Sequence, residues 1–253
     1  MGFRPLLAAL WVLLLCPAAF AGAPLLAPEV LAELPHDRAA FTEGLLLHDG
    51  RFLESVGKYG RSEVRRVDPA TGEVLARTAL APKSFAEGLA LRGGRLMLLT
   101  WKEGQGFFLD PDTLRVSGRF AWEGEGWGLA SDGTLLWASD GSDRLRLLDP
   151  ARMTVLRRIP VRDGDRPVPR LNELEAAGGV LWANVWWEDR VAAIDPESGE
   201  VRAWLDLAPL RARLENPGAE SANGLAADPE SGRLYVTGKY WDKVFVLRLP
   251  ALP

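Results

Sequence analysis

The chain has 253 residues, of which 47% are hydrophobic and 25% charged, and this ordinary globular composition excludes a disordered chain, a collagen and a polytopic membrane protein. The formal net charge of −4 argues against a nucleic-acid partner. The chain has ten Trp but only two His and one Cys. The shortage of Cys and His excludes disulfide frameworks, Cys-rich zinc sites and thiol catalysis. Any catalysis must therefore use carboxylates, Lys, amides, hydroxyls and aromatic side chains.

The first predicted element is a signal peptide over residues 1–21. Arg4 supplies a positive charge, residues 6–20 form an apolar run too short for a membrane span, and Ala19-Phe20-Ala21 fits a small-x-small cleavage site. A membrane anchor that stays attached is the alternative. The single cysteine, Cys16, lies in this segment. We therefore expect an exported protein, periplasmic or secreted, in which residues 22–253 form one domain without disulfides.

The rest of the chain is a repeat in which five segments restart with a short motif that ends in Leu. The motifs are Thr42-Glu43-Gly44-Leu45, Ala86-Glu87-Gly88-Leu89, Gly126-Trp127-Gly128-Leu129, Leu171-Asn172-Glu173-Leu174 and Ala222-Asn223-Gly224-Leu225. Their leucines lie 44, 40, 45 and 51 residues apart. Four units later carry Asp-Pro, at Asp68, Asp110, Asp149 and Asp195. This pair suits a tight turn, because Asp hydrogen-bonds the following backbone and Pro presets φ.

Four short strands in each unit predict a β-propeller blade. The fifth unit ends after its third strand, at residues 243–249, whereas residues 29–34 precede the first unit and have no other partner. We expect this N-terminal segment to complete the last blade and leave no unpaired edge. The prediction is an all-β, five-bladed β-propeller of four-stranded antiparallel blades. Residues 162–170 and 210–221 are longer loops, the second with room for a helical turn.

Aligning the repeats defines two sets of equivalent positions, the first ring and the second ring. The first ring lies two residues before each marker Leu and contains Glu43, Glu87, Trp127, Asn172 and Asn223. The second ring lies at the end of each second strand and contains Gly57, Trp101, Asp140, Trp186 and Lys239. An antiparallel hairpin brings these strand ends together, so both rings should open on one face. Their mixed chemistry indicates a site built on a symmetric scaffold.

The same residue types also have structural interpretations. A ring Trp can pack between blades, Asn and Asp at strand ends form turns, and Glu before Gly-Leu can be an exposed loop residue. Mid-strand tryptophans are expected in the core, and these are Trp122, Trp137, Trp182 and Trp204. His48 is expected at the surface, and His36 nearer the ring face.

Seven motifs follow one another in a fixed order over residues 35–245. They are Ala40-Phe41-Thr42-Glu43-Gly44-Leu45, Phe85-Ala86-Glu87-Gly88-Leu89, Leu99-Thr100-Trp101, Gly124-Glu125-Gly126-Trp127-Gly128-Leu129, Leu171-Asn172-Glu173-Leu174-Glu175, Trp182-Ala183-Asn184-Val185-Trp186 and Val236-Thr237-Gly238-Lys239. Together they resemble the plant-type glutaminyl-peptide cyclotransferases. The resemblance implies a five-bladed propeller, in agreement with the repeat count. It also implies an acyltransferase that converts N-terminal glutaminyl residues into pyroglutamate and ammonia, with no catalytic zinc and no cofactor.

The resemblance also implies roles for individual positions: an acid–base carboxylate at Glu87, polar catalytic helpers at Asn172 and Lys239, and an aromatic substrate pocket at Phe41, Trp101, Trp127 and Trp186. Glu43 stands where the family often has Gln. We hypothesise that Glu43 binds the substrate ammonium and keeps Glu87 proton-accepting near neutrality. The expected partners are peptides or proteins with N-terminal Gln. The sequence gives no sign of oligomerisation, so we expect a monomer.

Two other functions remain open. Glu87, Asn172, Asn223 and Asp140 would make an oxygen cage for Ca²⁺ in a lactonase-type propeller hydrolase, although Lys239 and three Trp at the same mouth argue against it. Alternatively, a non-catalytic propeller would use the Trp-lined face to bind peptide or sugar. Chelator sensitivity identifies the first alternative, and binding without ammonia release identifies the second.

Overall fold

The computed structural model describes residues 22–228 and 230–252, so the predicted signal peptide lies outside the described residues. The strands, in chain order, are β1 (Leu25–Leu26), β2 (Val30–Pro35), β3 (Thr42–His48), β4 (Arg51–Val56), β5 (Glu63–Val67), β6 (Val74–Ala79), β7 (Ala86–Arg92), β8 (Arg95–Thr100), β9 (Gln105–Leu109), β10 (Val116–Ala121), β11 (Leu129–Ser131), β12 (Leu136–Ala138), β13 (Arg144–Asp149), β14 (Thr154–Pro160), β15 (Arg162–Asp163), β16 (Arg166–Pro167), β17 (Leu171–Ala177), β18 (Val180–Val185), β19 (Arg190–Ile194), β20 (Val201–Asp206), β21 (Ala222–Asp228), β22 (Arg233–Gly238) and β23 (Lys243–Arg248). A single turn of helix, α1 (Ala208–Arg211), follows β20.

The strands form five antiparallel blades, each starting at the central channel. Blade 1 is β3 to β6, blade 2 is β7 to β10, blade 3 is β11 to β14 and blade 4 is β17 to β20. Blade 5 is β21, β22 and β23, with β2 as its outer strand. β2 pairs antiparallel with β23, with Leu34 opposite Val244. The predicted five-bladed fold and its closure by the N-terminal strand are therefore confirmed.

Some connections differ from the predicted loops. The 162–170 connection contains a short hairpin, β15 and β16, which the sequence did not predict. β1 adds a parallel strand to the outside of blade 4, also unpredicted. The helical turn α1 begins at Ala208, two residues before the loop was expected to start, with a proline in its first turn where no backbone N–H is needed. No helix in the described part of the chain has the length and hydropathy to cross a bilayer.

The Asp-Pro turns form as predicted. In the first of them the Asp68 carboxylate accepts the backbone N–H of Ala70 at 2.8 Å, and Gly72 donates to the Asp68 carbonyl at 2.8 Å. Asp110, Asp149 and Asp195 each accept the backbone N–H two residues later in the same way. These turns fix the connection between the third and fourth strands of four blades.

Glycine in the marker motif is required where the inner strands of neighbouring blades meet. A Cβ on Gly88 would lie 2.4 Å from the backbone N of Leu129, and one on Gly128 would lie 2.1 Å from the carbonyl O of Asn172. Blade 4 has Glu173 at the equivalent position. Its buried carboxylate accepts the backbone N–H of Leu225 at 2.9 Å and of Leu45 at 3.4 Å. Glu173 thus ties blades 4, 5 and 1 together across the channel.

One hydrophobic cluster fills each of the five interfaces between neighbouring blades. The four tryptophans expected in the core are buried as predicted: Trp122, Trp137, Trp182 and Trp204. Trp241, which the sequence did not single out, is also fully buried, between blades 4 and 5. Sheet faces packed in this way supply the main driving force for closing the ring.

A buried polar network joins blades 5 and 1. Glu54 accepts hydrogen bonds from Thr42 Oγ1 at 2.7 Å and Arg65 Nε at 2.8 Å, and His36 Nε2 lies 3.0 Å from its carboxylate. The other ring nitrogen of His36 lies 2.7 Å from the Trp241 carbonyl O. Burial alone would raise the pKa of Glu54, but Arg65 and His36 outweigh burial and hold that pKa well below its usual range. His36 therefore belongs to the ring closure.

Candidate active site

A cavity of about 240 Å³ opens at one end of the central channel. Ten residues line it: Phe41, Glu43, Lys58, Phe85, Glu87, Trp101, Trp127, Asn172, Trp186 and Lys239. The structure therefore brings together all eight residues proposed from the sequence as catalytic or substrate-binding. Lys58 and Phe85 were not predicted as site residues. The volume lies below the usual range for drug-sized ligands, so the cavity suits a single small group.

The first-ring side chains enter the cavity because the inner strands are irregular at this level. The pairing of first and second strands shifts register between Thr42 and Gly44, between Ala86 and Leu89, and between Leu171 and Leu174. A bulge of this kind breaks the strict alternation of side chains and re-aims one of them. The shift falls on Glu43, Glu87 and Asn172 in their respective blades, which explains how three side chains from regular repeats converge on one cavity.

Glu43 forms a buried ion pair with Lys239. The Lys239 ammonium lies 2.9 Å from Oε1 and 2.8 Å from Oε2 of Glu43. Asn223 Nδ2 donates to Glu43 Oε2 at 2.9 Å and to the Thr42 carbonyl at 3.1 Å. Asn223 is thus a first-ring residue that supports Glu43 from behind the cavity wall. The Lys239 ammonium also lies 4.4 Å from the centre of the Phe41 ring, which adds a cation–π contact.

Glu87 is the carboxyl group of the cavity that has no ionic partner in contact. It is 6% exposed, and within the described residues no group donates a hydrogen bond to its carboxyl oxygens. Burial, and then the negative charge of Glu43, raise the pKa of Glu87 well above its usual value, while Lys239 opposes this. Burial raises the pKa of Glu43 as well, but Lys239 lies directly against it. Of the two carboxyl groups, Glu87 is therefore the one suited to take and release a proton.

The tryptophan walls are held by a carboxylate that the sequence did not predict. Glu125 Oε2 accepts the indole N–H of Trp101 at 2.8 Å and that of Trp127 at 3.0 Å. Trp127 also packs edge-on against Trp186, with ring centres 5.6 Å apart. One carboxylate oxygen therefore sets the orientation of two walls from different blades. Glu125 lies within the Gly124-Glu125-Gly126 motif, and that motif was the one sequence signal available for it.

Phe85 and Lys58 complete the cavity. Phe85 packs against Trp101 with ring centres 5.6 Å apart. The Lys58 ammonium lies 3.5 Å from the centre of the Phe41 ring. Gly57, a second-ring position, leaves the space that Phe85 occupies, because a Cβ there would lie 2.4 Å from the Phe85 ring. Glycine at this second-ring position is therefore the sequence feature that accompanies the Phe85 ring.

The oxygen cage considered for Ca²⁺ does not assemble. Asp140 is bound by Arg146 at 2.5 Å and by Ser142, and it does not line the cavity. Asn223 is occupied by Glu43, so only Glu87 and Asn172 of the four proposed ligands face the cavity. Among the described residues, the one group with metal-ligand spacing is at the surface, formed by His48, Asp49 and Asp112. His48, expected at the surface, is half-buried beside these two exposed carboxylates.

Comparison with known proteins gives a consistent result. Residues 6–249 match the family model described as glutamine cyclotransferase. The chain is 42% identical over 226 residues to a glutaminyl-peptide cyclotransferase of Arabidopsis thaliana. The aligned region covers 87% of this chain and 71% of the relative. The crystal structure of Myxococcus xanthus glutaminyl cyclase matches with a TM-score of 0.82 at 34% identity, over 89% of this chain and 97% of that one. A luciferin-regenerating enzyme shares the fold alone, with a TM-score of 0.54 at 15% identity over 83% of this chain and 78% of the other.

Proposed function

The chain belongs to the glutamine cyclotransferase family and is a glutaminyl-peptide cyclotransferase, and we propose that Glu87 transfers the protons of its reaction without a metal ion. In this reaction an N-terminal glutaminyl residue closes to pyroglutamate and releases ammonia. The observation that carries the proposal is the Glu87 carboxyl group, which is buried, has a raised pKa and receives no hydrogen bond from residues 22–228 and 230–252. It stands beside an ion pair that already neutralises the second carboxylate of the cavity.

The cavity contributes first by holding the substrate in a reactive shape. The α-amine of a glutaminyl residue can attack its own side-chain carboxamide only when the side chain is folded back. Trp101, Trp127 and Trp186 form walls of a cavity of about 240 Å³, which suits one folded glutaminyl residue. Fixing that conformer before reaction removes much of the entropic barrier to ring closure.

Proton transfer follows in two steps through one carboxylate. The substrate ammonium gives a proton to Glu87, and the free amine attacks the carboxamide carbon to form a tetrahedral intermediate. In the second step Glu87 gives that proton to the departing NH₂ group, the C–N bond of the amide breaks, and ammonia leaves. The attacking nitrogen loses its extra proton to Glu87, which passes it to the ammonia, so that the products are the neutral lactam and ammonium. Acid–base help of this kind contributes about 10²–10⁴-fold. The oxyanion of the intermediate is stabilised by Lys239 or Asn172, at roughly 3–4 kcal/mol for one well-placed donor.

Glu43 acts through its neighbours. Both of its oxygens already accept hydrogen bonds, one from Lys239 and the other from Lys239 and Asn223. We therefore assign Glu43 to fixing the Lys239 ammonium and raising the pKa of Glu87, in place of the direct contact with the substrate ammonium that the sequence suggested. The unpaired carboxyl group of Glu87 is the better acceptor for that ammonium.

The test replaces Glu87 by Gln, which keeps the size of the side chain and removes its basicity. We expect kcat for ammonia release from Gln-Xaa peptides to fall at least about 10²-fold, with the unfolding midpoint unchanged. Glu123→Gln, at an exposed carboxylate outside the cavity, is the control and should keep full activity. Retained activity in Glu87→Gln would remove Glu87 from this role.

Metal independence has its own test. The donor set favours it, since only Glu87 and Asn172 of the proposed ligands face the cavity and Lys239 places a cation there. We expect turnover to survive treatment with a chelator followed by gel filtration. Loss of ammonia release that Ca²⁺ restores would contradict the proposal of metal independence.

We also propose that the protein is exported and acts as a monomer on peptides or proteins with N-terminal Gln. The proposal of export is supported by the charged and apolar pattern of residues 1–21. Fractionation of cells that express the full chain, or the chain without residues 1–21, tests the proposal of export. The full chain should be processed and leave the cytoplasm, and equal retention of both would contradict it.

A further inference from the structure

A third set of equivalent residues, which we call the rim, follows directly after the second ring. It consists of Lys58, Lys102, Gly141, Trp187 and Tyr240. Four of the five have left-handed backbones, with φ of 95° at Lys58, 78° at Gly141, 68° at Trp187 and 60° at Tyr240. The same left-handed turn therefore follows the second strand in blades 1, 3, 4 and 5. The turn favours Gly, as in blade 3, and does not require a large side chain.

Three rim side chains are already engaged with the aromatic walls. The Lys58 ammonium lies 3.5 Å from the Phe41 ring centre, and the Lys102 ammonium lies 3.8 Å from that of Trp101. The Tyr240 ring packs edge-on against Phe41 with centres 5.2 Å apart. Blade 3 has a glycine at this position, and blade 4 has Trp187, the one large aromatic side chain of the rim that is mostly exposed.

Trp187 extends the cavity wall outwards. It is 62% exposed, more than any other large hydrophobic residue in the described part of the chain. Its ring centre lies 5.5 Å from that of Trp186, with a tilt of 40° between the planes, and Trp186 lines the cavity. A bulky residue at positive φ is a backbone outlier that destabilises the fold. The turn itself does not require the indole, since Gly141 occupies the equivalent position in blade 3.

The charges around Trp187 are paired. The Glu188 carboxylate accepts hydrogen bonds from Arg170 at 3.0 Å and from Arg190 at 2.5 Å. The surface beside the indole therefore has no unpaired charge from Glu188 that would select a charged ligand. Its exposed face offers an apolar platform, and such platforms bind aromatic and bulky apolar side chains.

We propose that Trp187 forms a subsite for the side chain of the residue that follows the N-terminal Gln, and that it selects aromatic or bulky apolar residues there. This inference rests on the proposed function, which places the glutaminyl residue in the cavity. Consecutive Cα atoms are about 3.8 Å apart, so the second residue must lie at the mouth while the first fills the cavity. The substrates favoured are thus peptides that begin Gln-aromatic or Gln-bulky apolar.

The experiment compares ammonia release from Gln-Phe-NH₂, Gln-Leu-NH₂ and Gln-Gly-NH₂ by the wild-type enzyme, Trp187→Gly and Leu156→Ala. Glycine suits the left-handed backbone at Trp187, so this variant should fold, and near-identical thermal unfolding checks it. Leu156 is a matched control because it is 57% exposed on the outer strand β14.

We expect Trp187→Gly to lower kcat/KM for Gln-Phe-NH₂ about fivefold to fifteenfold, mainly through KM, and to leave Gln-Gly-NH₂ within about twofold. Leu156→Ala should change neither. An equal loss for all three substrates would overturn the proposal by showing that Trp187 only supports Trp186, and no loss would overturn it as well. Glu87→Gln separates these outcomes from a failure of the proposed function: if that variant kept its activity, the proposed function would fail, whereas the Trp187→Gly comparison tests the subsite alone.

Discussion

The clearest test of how the cavity is organised is removal of Glu125. Its Oε2 atom accepts both indole N–H groups, at 2.8 Å from Trp101 and 3.0 Å from Trp127. Glu125→Ala removes the shared hydrogen-bond acceptor and replaces no side chain that lines the cavity. The two indoles would keep their ring contacts with Phe85 and Trp186 but lose the group that fixes their orientation. The free indole N–H groups would then have to find water.

The size of the effect follows from the two bonds and their exposure. A hydrogen bond to a charged acceptor contributes about 1.5–3 kcal/mol when buried, but the Glu125 side chain is 38% exposed, so water replaces part of each bond. Taking about 1 kcal/mol for each bond gives about 2 kcal/mol, which corresponds to roughly a 30-fold loss in kcat/KM. Because the bonds position the walls that bind substrate, most of the loss should appear in KM. Glu125→Gln keeps an acceptor oxygen and should lose only about threefold to fivefold.

The assay measures kcat and KM for ammonia release from a Gln-Xaa peptide, with near-ultraviolet circular dichroism to report the tryptophan environment. Glu123→Ala is the control, since Glu123 is an exposed carboxylate two residues away. A loss of less than twofold in Glu125→Ala, or an equal loss in Glu123→Ala, would refute the idea that the shared bond organises the walls.

Three further predictions follow from buried groups and close contacts. Glu43→Gln removes the like charge that raises the pKa of Glu87, so the acid limb of the kcat/KM profile should move to lower pH by about one unit; an unmoved limb contradicts this. Burial raises the pKa of Glu175 to about 8. Below pH 4.5 the Glu175 carboxyl group is protonated in both the folded and the unfolded protein. Between pH 4.5 and 8 it stays protonated only in the folded protein. Stability should therefore fall with rising pH, by at most about 1.4 kcal/mol per unit, and urea unfolding of Glu175→Gln at pH 5 and pH 8 should show a smaller fall. Gly128→Ala would place a Cβ 2.1 Å from a backbone oxygen and should lower the free energy of unfolding by at least about 3 kcal/mol. Gly133→Ala is the control, because a Cβ there meets no atom within 4 Å and only the φ of 86° opposes it. This control should lower the free energy of unfolding by about 1 kcal/mol.

Local sequence signals were sufficient for the fold because each blade repeats them. The Asp-Pro turns, for example Asp68 and Asp149, form through bonds to the next few residues, so they can be read without knowing the rest of the chain. The unpaired segment before the first unit could be assigned to blade 5 because a closed ring leaves no free edge. The hairpin of β15 and β16 and the added strand β1 were missed, because two-residue strands carry no periodic pattern.

The candidate site was partly predictable for the same reason. Residues at one register of the repeats, such as Glu87 and Trp127, lie at one level of the channel, and register can be counted along the sequence. Register does not decide where a side chain points. Asp140 occupies the same ring as Trp186, yet Arg146 holds it away from the cavity. Asn223 shares a ring with Glu87 but serves as a support for another residue.

The sequence by itself determined the number of blades, the way the ring closes and the set of residues that could meet at one face, since these depend on repeat spacing and strand periodicity. Only the tertiary structure decided how those residues interact. The pair of Glu43 and Lys239 joins positions 196 residues apart, and Glu125 reaches two indoles on different blades. Such contacts depend on distances across the channel between separate blades, which no local pattern encodes.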